Sequence, residues 1–405
     1  MKTLNLLVCL LLSVAACFAM LIGCDNSGRY GETDTSAQYG APVSFEGPAH
    51  EASVFFINVG KADSAAVVVD GHAWLIDTGT EESFPAVYSA LGELGVTELD
   101  GIILTHEHSD HIGGLDPIAQ RFPIASVVIP EFLLSRADID SVAYDNGLSV
   151  STVKAGDSIP VCEGVAFEVL APARQIQGDG NDNSLVARLR VNGRTFLFTG
   201  DMQTEEDGEL VASGADVKCD VLKVPNHGNP DATSEGFANA ADPLISVIST
   251  DTAVDTNSAN RLVRARLSSS EVYLTQGTQM GVLMTVSEKG EISLSFPEKQ
   301  GALGGAEVAD ASKQRQTFTL RSTSDADVDL SGWYLYSSKG YEVFNFPQGT
   351  VLPAGGELTV ACRKSADAET ADLVWDKKKV WADKKDDFAV LMDPFGNEVS
   401  RMISR

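Results

Sequence analysis

Three of the six histidines in this 405-residue chain fall within six consecutive positions. They lie in His106-Glu107-His108-Ser109-Asp110-His111-Ile112-Gly113-Gly114, with an aspartate among them and a glycine pair behind. Imidazole and carboxylate are the preferred ligands of zinc and similar divalent ions. His106 and His108, two apart in a loop, can aim both rings at one ion. Asp110 and His111, displaced by two and three positions, can serve a second ion nearby. A solvated loop holds two histidines by chance, but rarely this set in this order. Farther along, Asp201 follows an apolar run and Gly200, and His227 precedes Gly228. Taken alone, Asp201 reads equally as a helix N-cap, His227 as a surface residue and Asp77 as a turn residue before Gly79. No nucleophile elbow and no phosphate-cradling glycine loop competes with the cluster.

Such side chains need a rigid frame. Short apolar runs, rich in β-branched and aromatic residues, recur at 54–59, 65–69, 74–76, 102–104, 127–129, 165–170, 185–191, 195–199, 221–224, 244–248 and 282–286. They are predicted strands. Helical stretches are predicted near 82–94, 204–212 and 234–240. Some strands alternate and some are wholly apolar, which suits sheets covered by helices on their outer faces. At 299–316 the composition turns to Gly, Ala, Lys and Gln, a predicted linker. Residues 317–405 read as a small all-β sandwich, with turn signals at Lys339-Gly340 and Gln348-Gly349.

The chain carries 57 acidic and 30 basic residues, a net charge of −27. This surface repels polyanions at long range. It argues against a sequence-reading DNA binder and requires any nucleic-acid substrate to be held locally, by metals or a small basic patch. The N-terminus reads as an export signal: Lys2, then an apolar run over 4–22, then Leu21-Ile22-Gly23-Cys24, which resembles a bacterial lipobox. The expectation is a signal peptide over 1–23, lipidation at Cys24 and a polar flexible tether over 24–50. The protein is then a cell-membrane lipoprotein on the outer, extracytoplasmic face. A plain membrane anchor is the alternative reading. Cys162, Cys219 and Cys362 match no zinc-finger spacing and read as small buried hydrophobes, with a Cys162–Cys219 disulfide left open.

The HxHxDHxGG segment resembles the signature of the metallo-β-lactamase superfamily. Neighbouring segments sharpen the likeness. Phe56-Ile57-Asn58-Val59-Gly60-Lys61-Ala62-Asp63-Ser64 and Leu75-Ile76-Asp77-Thr78-Gly79 are similar to the opening of the extracellular domain of the ComEC competence proteins. Asn181-Asp182-Asn183-Ser184-Leu185-Val186, Phe198-Thr199-Gly200-Asp201 and Leu222-Lys223-Val224-Pro225-Asn226-His227-Gly228 are similar to its later motifs, in order. The resemblance covers roughly 51–298 and implies an α/β fold, an αββα sandwich with metals at one edge. It implies that His106 and His108 hold one ion, that Asp110, His111 and His227 hold another, and that Asp201 bridges them. Asp77 would orient the histidine loop from behind. Two divalent ions are implied, zinc foremost with manganese as the alternative, and the nucleophile would be a metal hydroxide, with Asp110 and Asp201 able to take a proton. Three departures stand out. Asn226 replaces a histidine, Asn229 a serine, and Lys61-Ala62 the usual Gln-Gly. The spare histidines, His50 and His72, are ill placed to give the first ion a third imidazole, so Asp182 or Asn183 is expected near that open position.

Leu330-Ser331-Gly332-Trp333-Tyr334-Leu335, Phe344-Asn345-Phe346-Pro347 and Asp393-Pro394-Phe395-Gly396-Asn397 resemble a lamin-tail domain, an immunoglobulin-like sandwich. No ligand candidate lies beyond Gln300, so this module is expected to be separable from catalysis. Lys377–Lys379 and Lys384–Lys385, beside Trp375 and Trp381, form a basic cluster that reads as a solvated loop or as a DNA contact. The expected function is an extracytoplasmic phosphodiesterase or nuclease, its partner a phosphodiester such as DNA. The alternatives are another metallohydrolase (phosphocholine esterase, lactonase, β-lactamase) or a non-catalytic lipid-tethered binding protein.

Overall fold

The computed structural model describes residues 37–382 and 386–405. The predicted signal segment, Cys24, the tether up to residue 36 and Lys384–Lys385 lie outside the described residues. Sixteen strands build two sheets. One holds β1 (Ala37–Tyr39), β2 (Ala52–Ile57), β3 (Ala65–Val69), β4 (His72–Ile76), β5 (Gly101–Ile103), β6 (Val127–Pro130) and β7 (Val150–Val153). The other holds β8 (Ser158–Cys162), β9 (Val165–Ala171), β10 (Val186–Val191), β11 (Arg194–Phe198), β12 (Val221–Lys223), β13 (Ile245–Ile248) and β14 (Glu271–Leu274). The chain then returns to the first sheet as β15 (Gly281–Val286) and β16 (Ile292–Ser295), giving the order β1-β16-β15-β2-β3-β4-β5-β6-β7. The second sheet runs β14 through β8 in reverse sequence order.

Side-chain alternation explains the layers. In β2, Ala52, Val54 and Phe56 join a core shared with Phe167 and Phe198 of the second sheet. Phe55 and Ile57 point the other way, into a core with the helices α1 (Phe84–Glu93), α2 (Ser109–Ile112), α3 (Leu115–Arg121) and α4 (Ala137–Asn146). On the far side, α5 (Thr204–Ala212), α6 (Glu235–Ala241) and α7 (Arg261–Arg266) cover Leu197, Leu222 and Ile248. The result is the expected αββα sandwich. Strands β4 to β7 and β11 to β14 pair in parallel, so the loops leaving β4, β5, β11, β12 and β13 all depart from C-terminal strand ends. In α/β sheets those ends are where sites assemble.

The predicted tether is corrected from residue 37 onward. Tyr39 pairs with Ile292 of β16, and His50 is buried with its N–H and carbonyl both clamped by the Asn192 amide. Polar composition concealed this because the segment is fastened by backbone hydrogen bonds and one strand pairing, with few apolar side chains.

The C-terminal module comprises β17 (Ala306–Ser312), β18 (Thr317–Ser322), β19 (Val328–Asp329), β20 (Tyr334–Ser337), β21 (Val343–Asn345), β22 (Val351–Leu352), β23 (Glu357–Cys362), β24 (Leu373–Trp375), β25 (Phe388–Met392) and β26 (Glu398–Ile403). Sheets β17-β18-β23-β24 and β21-β20-β25-β26 enclose a core of Phe318, Trp333, Leu335, Phe344, Trp375, Trp381 and Leu391. Two expectations change. The linker 299–316 already contains β17, whose small apolar residues Ala306, Val308 and Ala311 turn inward. Trp375 and Trp381 are core residues, the Trp381 indole donating to the Thr317 carbonyl at 3.2 Å, so neither is open to stack on a base.

Nor is the module a loose appendage. In β20 and β25, Leu335 and Leu391 face the sandwich core, while Tyr334, Val390 and Met392 face the other way. There they join Phe84, Tyr88 and Phe122 of the α1–α3 layer in a single core. Tyr88 and Arg121 donate to the Gly332 carbonyl, and Gln120 binds both Val343 N and the Asn345 amide. Strands that look half-buried in an isolated sandwich are here buried on both faces, and the described residues form one compact unit.

Candidate metal centre

Strand β5 is buried throughout, so its exit is fixed, and Thr105 leads directly into His106. His108 is extended, which turns the two rings toward each other: His106 Nε2 and His108 Nδ1 lie 3.1 Å apart. Two imidazole nitrogens that close suit ligation of one ion. The single turn α2 then presents Asp110 and His111. The glycine pair after it is a matter of space. A Cβ on Gly113 would sit 2.5 Å from the Ser109 carbonyl oxygen, and one on Gly114 would run into the Thr78 carbonyl oxygen. Only glycine lets α2 and α3 turn against the β4–α1 loop.

Asp77 stands behind this turn. Its carboxylate accepts from Thr105 N at 2.7 Å and Thr105 Oγ1 at 2.8 Å. It also lies 2.9 Å from His111 Nδ1. A proton on Nδ1 leaves the His111 Nε2 lone pair facing Asp201 Oδ2, 3.3 Å away. His227 is oriented in the same manner by a neutral partner. Its Nδ1 lies 2.9 Å from the Ser249 carbonyl oxygen, which can only accept. Its Nε2 therefore faces Asp201 Oδ2 at 3.2 Å and Asp110 Oδ2 at 3.4 Å. Reaching this position bends the backbone hard, with left-handed φ of 45° at Asn226 and 50° at His227.

Asp201 is no helix cap. The N–H of Glu206 in the first turn of α5 goes to Asp182 instead, while the Asp201 carboxylate points at the histidines. Gly200, at φ 51°, brings this loop so close that a Cβ would meet Thr105 at 2.8 Å. Burial alone would raise the Asp201 carboxyl, but the His227 and His111 rings hold it well below the usual range. Burial opposes a charge on His227, yet Asp201 and Asp63 push its pKa up to about 9. His106, by contrast, is driven well below its usual value by burial and by the His111 ring.

Asp63, His111, Asp201 and His227 offer ligand atoms within 4.8 Å of one another, all buried. His111 Nε2, His227 Nε2 and Asp201 Oδ1 have no hydrogen-bond partner. Buried polar atoms are rarely left so, and lone pairs converging on a common point fit a divalent cation. The donor set, imidazole and carboxylate without thiolate, fits zinc or manganese alike.

All six predicted ligands are thus gathered around one place. Asp182 and Asn183 are not directed there. Asp182 receives the Glu206 N–H, and Asn183 ties the 176–183 loop through Ile176 N, Ile176 O and Asp179 O. The residue that approaches His108 is Gly180, whose Cβ would lie 3.3 Å from His108 Nε2. Asn226 serves its own loop, donating to Asp231 at 3.2 Å. His50 and His72 are paired elsewhere, with Asp70 and Asp100. Sequence reasoning assigned no role to three charged residues, although Lys61 stood out as a departure from the family pattern. Asp63 and Lys223 form a buried ion pair under the site, and the Lys223 ammonium also donates to the Gly200 carbonyl at 3.0 Å. Lys61, partly exposed at the mouth, donates to Asp110 Oδ2 at 2.7 Å. The one available signal was that all three lie inside motifs already singled out.

Residues 57–251 match the profile of the metallo-beta-lactamase superfamily, and residues 300–404 that of the lamin tail domain. The chain is 30% identical over 220 residues to ComE operon protein 3 of Bacillus subtilis, covering 49% of this chain and 28% of that protein. It is 29% identical over 206 residues to competence protein ComA of Neisseria gonorrhoeae, covering 50% of this chain and 27% of that protein. The chain thus spans little more than a quarter of these relatives' length. Among solved structures, the metallo-beta-lactamase fold protein YhfI from Bacillus subtilis aligns at 12% identity and a TM-score of 0.42, covering 58% of this chain and 99% of that one.

Proposed function

Taking as premise that this chain carries a metallo-β-lactamase superfamily domain joined to a lamin tail domain, we propose that it is a metal-dependent phosphodiester hydrolase. The observation that carries this reading is the convergence of buried, unpartnered nitrogen and oxygen atoms on His111, His227 and Asp201 beside the His106–His108 pair. His106 and His108 would hold one ion, Asp110, His111 and His227 a second, with Asp201 shared. Two bound divalent ions, zinc or manganese, would supply an activated water and neutralise charge developing on a phosphoryl group. The chain's own contribution is orientation. Asp77 and the Ser249 carbonyl hold the ring protons of His111 and His227 on Nδ1, leaving Nε2 free to ligate. Asp110 and Asp201 are carboxylates kept in the charged form by neighbouring cations and rings, which suits them to hold a cation and makes them weak proton acceptors.

A phosphodiester is favoured because it brings negative charge to a mouth where Lys61 supplies a cation. The competence proteins among the relatives make single-stranded DNA the diester to try first. Sequence-specific binding is not expected of a surface this acidic. Lipidation at Cys24 and an extracytoplasmic location belong to the same proposal. Among the described residues, no helix is long and apolar enough to cross a membrane. The test is a panel of bis-aryl phosphate, single-stranded DNA, a phosphocholine ester, a lactone and nitrocefin, offered to zinc- or manganese-loaded protein and to Asp201→Ala. Diester cleavage lost in the variant is expected. Efficient nitrocefin or lactone hydrolysis with diesters untouched would overturn the substrate class and leave the metal centre standing.

A further inference from the structure

Away from the centre just described, His50, Asp70 and Cys162 place an imidazole nitrogen, a carboxylate oxygen and a thiol sulfur within 4.8 Å of one another. They come from three separate segments: the irregular stretch just before β2, the β3–β4 turn and the end of β8. Each is positioned by something other than its two companions. The His50 backbone is locked on both sides by the Asn192 amide, at 2.9 and 2.8 Å. Asp70 sits in a tight turn at φ 51° and spends only Oδ1 on Glu51 N, at 2.8 Å. Its Oδ2 faces His50 Nδ1 at 2.6 Å. Cys162 lies at a bulge in the β8–β9 pairing, free of any disulfide and partly open to solvent. The extra residue of that bulge is Val161, and the thiol of Cys162 directly follows it.

We propose that His50, Asp70 and Cys162 form a second, mononuclear site for a thiophilic divalent transition ion of the zinc class, which fastens the N-terminal segment to the β3–β4 turn of the first sheet and to β8, the edge strand of the second. The donor set is the basis for the choice of ion. Thiolate with imidazole selects zinc-like ions over magnesium and calcium, and a carboxylate completes three protein ligands with a fourth position left to water. As the sulfur–metal bond forms, the Cys162 proton leaves to solvent. The His50 ring proton moves to the nitrogen that does not ligate. The free thiol is held up by burial and by Asp70 and Glu163, so occupancy should rise with pH.

The proposed catalytic cluster contains no sulfur ligand, which makes cobalt a specific probe. Metal-stripped full-chain protein is titrated with Co²⁺ and followed in the near ultraviolet, where thiolate-to-cobalt charge transfer appears. The expected result is a saturable band in the wild type that vanishes in Cys162→Ser, with one fewer ion bound at saturation. Asp70→Asn, a change at an exposed carboxylate that leaves the fold intact, should weaken the band's apparent affinity by roughly tenfold or more. Circular dichroism verifies that each variant is folded. A wild type that saturates without a thiolate band, or a band unchanged in Cys162→Ser, would overturn the proposal.

Discussion

Tyr334 tests whether the second module is part of the first. Its side chain is fully buried between the domains, its ring 4.8 Å from Tyr88 and 5.5 Å from Phe84 between centroids. Its hydroxyl has no hydrogen-bond partner. Two substitutions at this residue therefore pull in opposite directions. Tyr334→Ala removes the ring from a packed core and should cost about 3–5 kcal/mol. Tyr334→Phe keeps the ring and removes a buried, unsatisfied hydroxyl whose desolvation costs about 1–3 kcal/mol, so it should be neutral or stabilising. If the two modules melt as one cooperative unit, the alanine variant should lower the melting temperature by roughly 4–6 °C, given an unfolding entropy of about 2 cal/mol/K per residue. Differential scanning calorimetry of the full chain reads both effects. A chain ending near Lys299 loses Tyr334, Val343, Val390 and Met392 from the shared core. It should melt earlier than the intact protein and expose the Phe84–Tyr88 face to proteases. Two separate transitions, with Tyr334→Ala moving only the later residues' transition, would refute the reasoning and restore the separable module expected from sequence.

Four further outcomes are expected. Asp77→Asn should weaken metal binding by about 10–100-fold in a chelator competition, because the His111 ring loses the carboxylate that orients it; unchanged affinity would remove that role. In the metal-free protein the His227 pKa is about 9 against an ordinary 6.5, so its stabilising contribution is complete below about pH 6.5 and disappears as pH rises through 9. Urea melts in chelator should lose up to about 3 kcal/mol between those limits from this group; stability flat across that window would contradict the placement of Asp201 and Asp63 around it. Gly114→Ala drives a Cβ into the Thr78 carbonyl and should lower both stability, by about 2–4 kcal/mol, and metal stoichiometry; a fully metallated variant would count against the packing argument. Lys61→Gln should cut kcat/KM for an anionic diester by about tenfold while sparing a neutral ester, if the ammonium that now bonds Asp110 also meets the diester's charge; equal losses on both would make Lys61 only a support for Asp110.

What could be read from sequence was what is local. His106, His108, Asp110 and His111 share one loop, so their ligand geometry is nearly a property of spacing, and Gly113-Gly114 signals the tight turn that follows. Asp201 and His227 were legible only through resemblance, because a Gly-Asp pair and a lone histidine have ordinary meanings by themselves. The Asp63–Lys223 pair was invisible for a different reason. The two residues meet across 160 positions, and the burial that forces a charge to find a partner exists only once both sheets have formed. The same holds for residues 37–50 and for the 299–316 stretch, whose polar or glycine-rich composition concealed strands held mainly by backbone pairing. Trp375 and Trp381 misled in the opposite sense. Their lysine neighbours suggested a binding surface, while the rings themselves were needed to fill a small core.

The interface with the C-terminal module bears on the metal centre through connectivity. The histidine loop is pinned on one side by Thr78, whose N–H and hydroxyl both donate to the His111 carbonyl at 2.7 and 2.8 Å. The Thr78 segment runs straight into α1, and on the other side of the loop Gly114 opens directly into α3. These are the two helices that the sandwich covers, through Tyr334 against Phe84 and Tyr88 and through Val343 and Asn345 on Gln120. A ligand set of this kind must be held to a fraction of an ångström to keep its affinity. A four-residue α2 has too little packing of its own to do so. The second module thus braces the helices at both ends of the ligand loop, and its removal should loosen the centre without touching a single ligand.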